Sequence, residues 1–155
     1  MTTILRLLPL LVMLVAGCAS RQTAATDEVF TIEFKLATAA PRPGAIEMVP
    51  LGSDRPIWVY PEVVITRADI AYAERAKDNL GYPAILLEMT DDGAARLLAV
   101  STKHIDQPLA LFVDGALISA PYVRSQLSKR MMIIGSPTGI EKEVAKRVVE
   151  RINAG

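Results

Sequence analysis

Apolar and polar residues alternate at the start of the folded part of the chain. Phe30, Ile32, Phe34 and Leu36 are interleaved with Thr31, Glu33 and Lys35, a period of two that predicts a strand with one buried face. Pro41-Arg42-Pro43-Gly44 breaks the chain, and residues 46–49 form a short strand ahead of Pro50 and Gly52. Residues 57–60 and 62–65 are rich in strand formers but divided by Pro61. A proline has no N–H for a ladder, so an edge strand or a bulge is expected there. Residues 68–78 give opposed signals: their alanines favour a helix, yet no apolar stripe recurs at helical spacing. The turn at 78–83 and the buried strand at 84–89 suggest instead a hairpin with residues 72–77 as its first arm, and strand and helix both stay open for that stretch.

Thr90 opens the clearest helix. It suits an N-cap, and Asp91 and Asp92 place negative charge at the positive end of the helix dipole. Ala94, Leu97, Leu98, Ser101 and Ile105 make one stripe, with the helix ending near His104. Residues 109–113 and 116–120 are apolar runs joined by Asp114-Gly115, the strongest short-range signal of a tight hairpin. Residues 131–134 read as one more strand, closed by Gly135. Thr138 and Glu141 have capping-box spacing, and Ile140, Val144, Val148 and Ile152 share one face of a last helix ending at 153–155. Strands outnumber helices, the hairpins make the pairing antiparallel, and each helix has one apolar face. The expectation is an α+β fold: a mainly antiparallel sheet with two helices packed on one face, in a single domain over residues 28–155.

The first seventeen residues differ from the rest. One arginine precedes a ten-residue apolar run at 7–16, which as a helix rises about 15 Å, half of a bilayer core. That length suits the apolar region of a signal peptide. Leu14-Val15-Ala16-Gly17-Cys18 resembles the lipobox of bacterial lipoproteins, which implies cleavage before Cys18, a diacylglycerol thioether on its sulfur and, as a rule, acylation of the new amino group. More than one acyl chain holds a protein on a membrane for long periods. Residues 1–17 are therefore expected to be a lipoprotein signal peptide and residues 18–27 a lipidated flexible tether, small and polar, with a reach of about 30 Å. Ala19 in place of an aspartate resembles the outer-membrane sorting signal, so the expected location is the periplasmic side of a bacterial membrane, the outer membrane ahead of the inner.

Composition mainly excludes. Lys+Arg and Asp+Glu are 17 each among 155 residues, so no basic footprint for nucleic acid exists. One cysteine removes a disulfide framework and any cysteine-based zinc site, and one histidine leaves little for metal ligation or a nucleophile triad. Neither Ser101 nor Ser119 sits in a Gly-x-Ser-x-Gly elbow. His104 is accounted for by helix-end carbonyls, Asp91 and Asp92 by capping charge, and Asp114 by the turn. No enzyme activity, cofactor or metal is expected.

Gln107-Pro-Leu-Ala-Leu-Phe-Val-Asp-Gly-Ala-Leu-Ile-Ser-Ala-Pro121 resembles the strand, Asp-Gly turn, strand and Ser-Ala-Pro exit of the periplasmic head subdomain of the SecD family. SecD proteins are membrane subunits that assist export through the Sec channel. Thr66-Arg67-Ala68-Asp69-Ile70 resembles the family's opening turn, Gly81-Tyr82-Pro83 the hairpin before the Thr-capped helix, and Ile133-Ile134-Gly135 with the last helix its closing strand and helix. The resemblance covers about residues 60–155. Ser128-Lys129-Arg130 stands where the family often has a Gly-Gly turn, and no apolar run in the sequence reaches membrane-spanning length.

The resemblance implies a non-catalytic, membrane-anchored module that binds polypeptide, either an exported chain or another envelope protein, as an accessory to export. The alternative is a structural envelope lipoprotein with no part in export. Candidate contact residues are Trp58 and Tyr60, which share a strand face between Pro56 and Pro61 and are core residues unless that face is open. Tyr122, Arg124 and Met131 complete the set, with Met131 and Met132 placed on opposite strand faces, so that one is buried and the other is free to touch apolar polypeptide.

Overall fold

The computed structural model describes residues 30–135 and 139–154. Eight strands and two helices follow in the order β1 (Ile32–Thr38), β2 (Ile46–Met48), β3 (Ile57–Thr66), β4 (Ile70–Lys77), β5 (Pro83–Met89), α1 (Asp91–Lys103), β6 (Leu109–Val113), β7 (Ala116–Ser119), β8 (Arg130–Ile134) and α2 (Lys142–Asn153), with a single 3-10 turn at Arg67–Asp69. Every strand pair is antiparallel, and the fold is α+β as expected. The strands form two sheets where one was expected: a five-stranded sheet ordered β2-β3-β1-β6-β7 and a three-stranded sheet ordered β4-β5-β8.

One apolar core joins them. Ile32, Phe34, Ile65 and Leu111 from the larger sheet meet Ile70, Leu87 and Ile133 from the smaller, with Leu97 of α1 and Val148 and Ile152 of α2 between. Helix α1 packs on β3, β5 and the 3-10 turn, and α2 on β4 and β5. A second cluster, built on Val59, Phe112 and Leu117, covers the reverse face of the larger sheet, where the Lys35 ammonium lies 4.8 Å from the Phe112 ring centre.

The disputed stretch resolves by tertiary pairing. Residues 67–69 turn, and 70–77 form β4, held along its length by β5; strand partners override the helix preference of the alanines. Pro61 lies where five residues of β3 (Val59 to Val63) oppose three of β1 (Lys35 to Ala37), so it occupies a bulge and its missing N–H leaves no gap in the ladder. Thr90 caps α1 by accepting the Gly93 N–H at 3.0 Å. Asp114 and Gly115 both take positive φ, 48° and 78°, as the two-residue turn requires.

Two readings need correction. The buried face of α1 consists of Gly93, Ala94, Leu97 and Ser101, whereas Leu98 and Ile105 are exposed: the stripe is narrower because α1 meets the core along a single ridge. Helix α2 starts at Lys142 with Glu141 as N-cap and no side-chain capping bond. Thr138 lies outside the described residues, and the Ile140 N–H bonds the Pro83 carbonyl at 2.9 Å, so the chain just before α2 is tied to β5 and has not yet entered the helix.

The passage between sheets turns on Asp69, whose side chain is only 4% exposed. It accepts the Thr66 N–H at 2.8 Å and the Thr66 hydroxyl at 3.1 Å, and the Arg96 guanidinium of α1 at 2.6 Å. Its backbone carbonyl accepts the Thr90 N–H at 2.9 Å. Gly93 sits so close that a Cβ there would lie 2.1 Å from that carbonyl oxygen. Arg67 bonds the Ile70 carbonyl at 2.8 Å and also the Ile152 carbonyl at the end of α2, a favourable place for a cation.

Asp69→Ala removes three bonds to a charged acceptor and is expected to cost about 2–4 kcal/mol, read as a lower urea midpoint at unchanged slope. Gly93→Ala adds about 1 kcal/mol of helix preference yet is expected to destabilise, because backbone must move. A raised midpoint for Gly93→Ala would refute the close approach.

Candidate interaction surface

Both helices lie on the inner side of the three-stranded sheet, and part of its outer side meets solvent. The register sets three rows across that outer face. Tyr72, Glu88 and Arg130 make the first, Glu74, Leu86 and Met132 the second, and Ala76, Ala84 and Ile134 the third. Tyr72, Met132 and Ile134 are 50%, 45% and 42% exposed, Leu86 is half-buried and Ala84 is buried. Arg130 Nε lies 3.5 Å from Glu88 Oε2. Apolar contact area in the two lower rows is thus bordered by Glu88 and Arg130 in the first row and by Glu74 on the β4 side of the second. The inner rows carry Ala73, Leu87 and Met131, then Ile85 and Ile133, all buried.

The segment between β7 and β8 is fixed to α1 and to the residue before β6. Tyr122 pairs with Pro108 in an isolated bridge, and the Val123 side chain is buried. The Ser101 hydroxyl, wholly buried in α1, accepts the Leu127 N–H at 2.8 Å and contacts the Leu98 and Leu127 carbonyls at 3.2 and 3.3 Å. Lys129 Nζ lies 2.6 Å from Asp91 Oδ1 at the start of α1. That ammonium lowers the pKa of Asp91, first by hydrogen bonding and second by charge. Ser119 of β7 donates to the Ile134 carbonyl at 2.8 Å, tying the two sheets together at the end of β8.

Of the expected contact residues, Tyr122 and Arg124 are exposed and come together. Arg124 lies over the Tyr122 ring at 4.9 Å and pairs with Asp106 at 2.9 Å. Trp58 and Tyr60 are half-buried and belong to neither core cluster. Met131 is corrected: it is 5% exposed, opposite Leu87 in the core, and Met132 is the methionine turned outward. The alternation put the two on opposite faces, but only pairing with β5 says which face is inner. Cys18 lies outside the described residues. Tyr72 and Ile134 were missed; Tyr72 sits in the stretch of undecided structure, so no face could be assigned to it.

The polar residues weighed for chemistry have structural partners. The His104 ring contacts the Gln107 side chain at 2.9 Å while its backbone N–H caps the Ser101 carbonyl, and Asp114 accepts the Thr31 N–H at 3.0 Å. Among the described residues no three His, Cys, Asp or Glu side chains are grouped to hold a metal ion, and no helix is long and apolar enough to cross a membrane.

Similar proteins point in one direction. The protein translocase subunit SecD of Aquifex aeolicus is 36% identical over 78 residues, covering 50% of this chain and 16% of that protein. The subunit SecDF of Thermus thermophilus is 29% identical over 79 residues, covering 51% of this chain and 11% of its own length. The chain therefore spans less than a fifth of these relatives. Two solved structures share the fold. SecDF in its super-membrane-facing form has a TM-score of 0.60 at 20% identity, over 81% of this chain and 19% of that one. A second, of a membrane component SecDF that enhances protein export, has a TM-score of 0.59 at 19% identity, over 81% and 62%. The family described as SecDF, P1 head subdomain, matches residues 45–155. The chain belongs to the SecDF P1 head subdomain family.

Proposed function

We propose that this chain is a non-catalytic polypeptide-binding module, a SecD-type head held by lipid on Cys18 and the 18–27 tether at the periplasmic side of a bacterial membrane, the outer one ahead of the inner. Its occupant is an exported polypeptide, and the module acts as an accessory to export. Family membership supports the export context, since the relatives are named as translocase subunits and one as a component that enhances protein export. The single observation that carries the binding reading is the outer face of β4-β5-β8, where Tyr72, Met132 and Ile134 stay exposed while both helices cover the other side. An exposed aromatic beside a flexible methionine suits apolar stretches of varied sequence.

A photocrosslinking residue in place of Tyr72, in intact cells, is expected to capture polypeptides in transit, and one in place of Lys146 on the exposed side of α2 to capture few. Equal yields from both positions, or none from Tyr72, would overturn this role. Cys18→Ser is expected to move the protein from the membrane fraction to the soluble periplasm; retention on membranes through a high-salt wash would remove the lipid anchor from the account.

A further inference from the structure

We propose that the outer edge of β8 receives one extended polypeptide strand, with an acidic residue beside Arg130 and an apolar residue beside Met132. This deepens the polypeptide-binding reading and rests on it, but concerns the backbone of the edge where that reading concerns the side chains of the face.

The phase of the ladder decides which backbone groups are available. Met89 N–H donates to the Lys129 carbonyl at 2.8 Å, so in the same register Leu87 with Met131 and Ile85 with Ile133 exchange backbone bonds. Arg130, Met132 and Ile134 therefore turn N–H and C=O away from β5. The Ser119 hydroxyl reaches the Ile134 carbonyl from that outer side, which independently fixes the same phase. Strand β8 pairs with β5 alone, and the outward groups of Arg130 and Met132 have no partner among the described residues. They repeat every two residues, about 6.7 Å, a spacing that an extended backbone matches.

The other edges are obstructed. On β4, the Asn153 amide at the end of α2 accepts the Ala73 N–H at 3.0 Å and donates to the Ala73 carbonyl at 2.8 Å, as a neighbouring strand would. Glu74, Arg75 and Lys77 then put charge along the rest of that edge, a common guard against strand addition. On β7, the Leu51 N–H already occupies the Leu117 carbonyl at 2.9 Å. Strand β2 has three residues. The edge of β8, by contrast, is apolar from Met131 to Ile134 and carries no such guard beyond Arg130. An incoming strand extends the outer-face rows: next to Met132 it continues the Leu86–Met132 row, and next to Arg130 an acid completes the Glu88–Arg130 row with alternating charge.

The test uses the whole chain and a fluorescent peptide of alternating valine and threonine with one glutamate. Met132→Pro removes an N–H that the fold does not use, a position where an edge strand tolerates proline, and is expected to weaken binding about tenfold through the one lost backbone bond and the lost side-chain contact. Met132→Ala keeps the N–H and gives up only the side-chain contact, so a smaller loss, about threefold, is expected. N-methylating the peptide at alternate residues should weaken binding to the unaltered protein about tenfold, a measurement that needs no protein variant, and changing its glutamate to lysine should weaken it further. Equal losses from Met132→Pro and Met132→Ala, with no effect of N-methylation, would overturn strand addition and leave side-chain docking on the face standing. Failure of the peptide to bind the unaltered chain overturns it too, and crosslinking from Tyr72 then says separately whether the module contacts polypeptide. Concentration-dependent self-association abolished by Met132→Pro would assign the edge to a second copy of the chain and overturn the proposal.

Discussion

The buried carboxylate of Asp69 is the constraint on which the arrangement of the two sheets depends. The chain leaves β3, turns through three residues and enters β4 in a different sheet, and that turn has backbone donors with no ladder to satisfy them. Asp69 accepts the Thr66 N–H and hydroxyl and is itself met by Arg96 from α1. A buried charge is tolerable only with such partners. Because its backbone carbonyl also takes the Thr90 N–H, the turn between sheets and the first turn of α1 are one polar unit. Gly93 lets them approach to within contact. Arg67 extends the unit to the far end of α2, so both helices are referenced to the same three-residue turn.

That junction decides which surfaces are left over. With α1 against β3 and β5 and α2 against β4 and β5, both helices fall on the inner side of the small sheet and share the core with the large one. The outer side of β4-β5-β8 keeps its larger apolar side chains in water. The same geometry brings Asn153 to the edge of β4 and Ser119 to the end of β8. The surface proposed for polypeptide thus lies where the helices are absent, and its chemistry is set by the register of three strands.

The hydroxyl and imidazole groups that could be read as chemistry are consumed by the fold. Ser101 pins the segment before β8 to α1, Ser119 links the sheets, and the His104 ring meets the Gln107 side chain. Lys129 is tied to Asp91 at the start of α1, so the approach to β8 is held at two points by the same helix. Binding through backbone edges and apolar side chains needs no titrating group, which is consistent with this use of the polar residues.

The local signals in the sequence were sufficient for β1, for the Thr90 cap of α1 and for the Asp-Gly hairpin, because each depends on side chains within a few residues and on the φ angles that a turn demands. The α+β class and antiparallel pairing followed from the same short-range patterns, whereas Pro61 allowed an edge strand or a bulge and the pairing of β3 with β1 decided for the bulge. The division into two sheets, the burial of Asp69, the inward placement of Met131 and the exposure of Leu98 and Ile105 came only with the tertiary structure. Alternation says that Met131 and Met132 face opposite ways, but a shift of one residue in register would exchange them. Which face is inner depends on contacts between residues far apart in the chain, and an isolated strand carries no record of them.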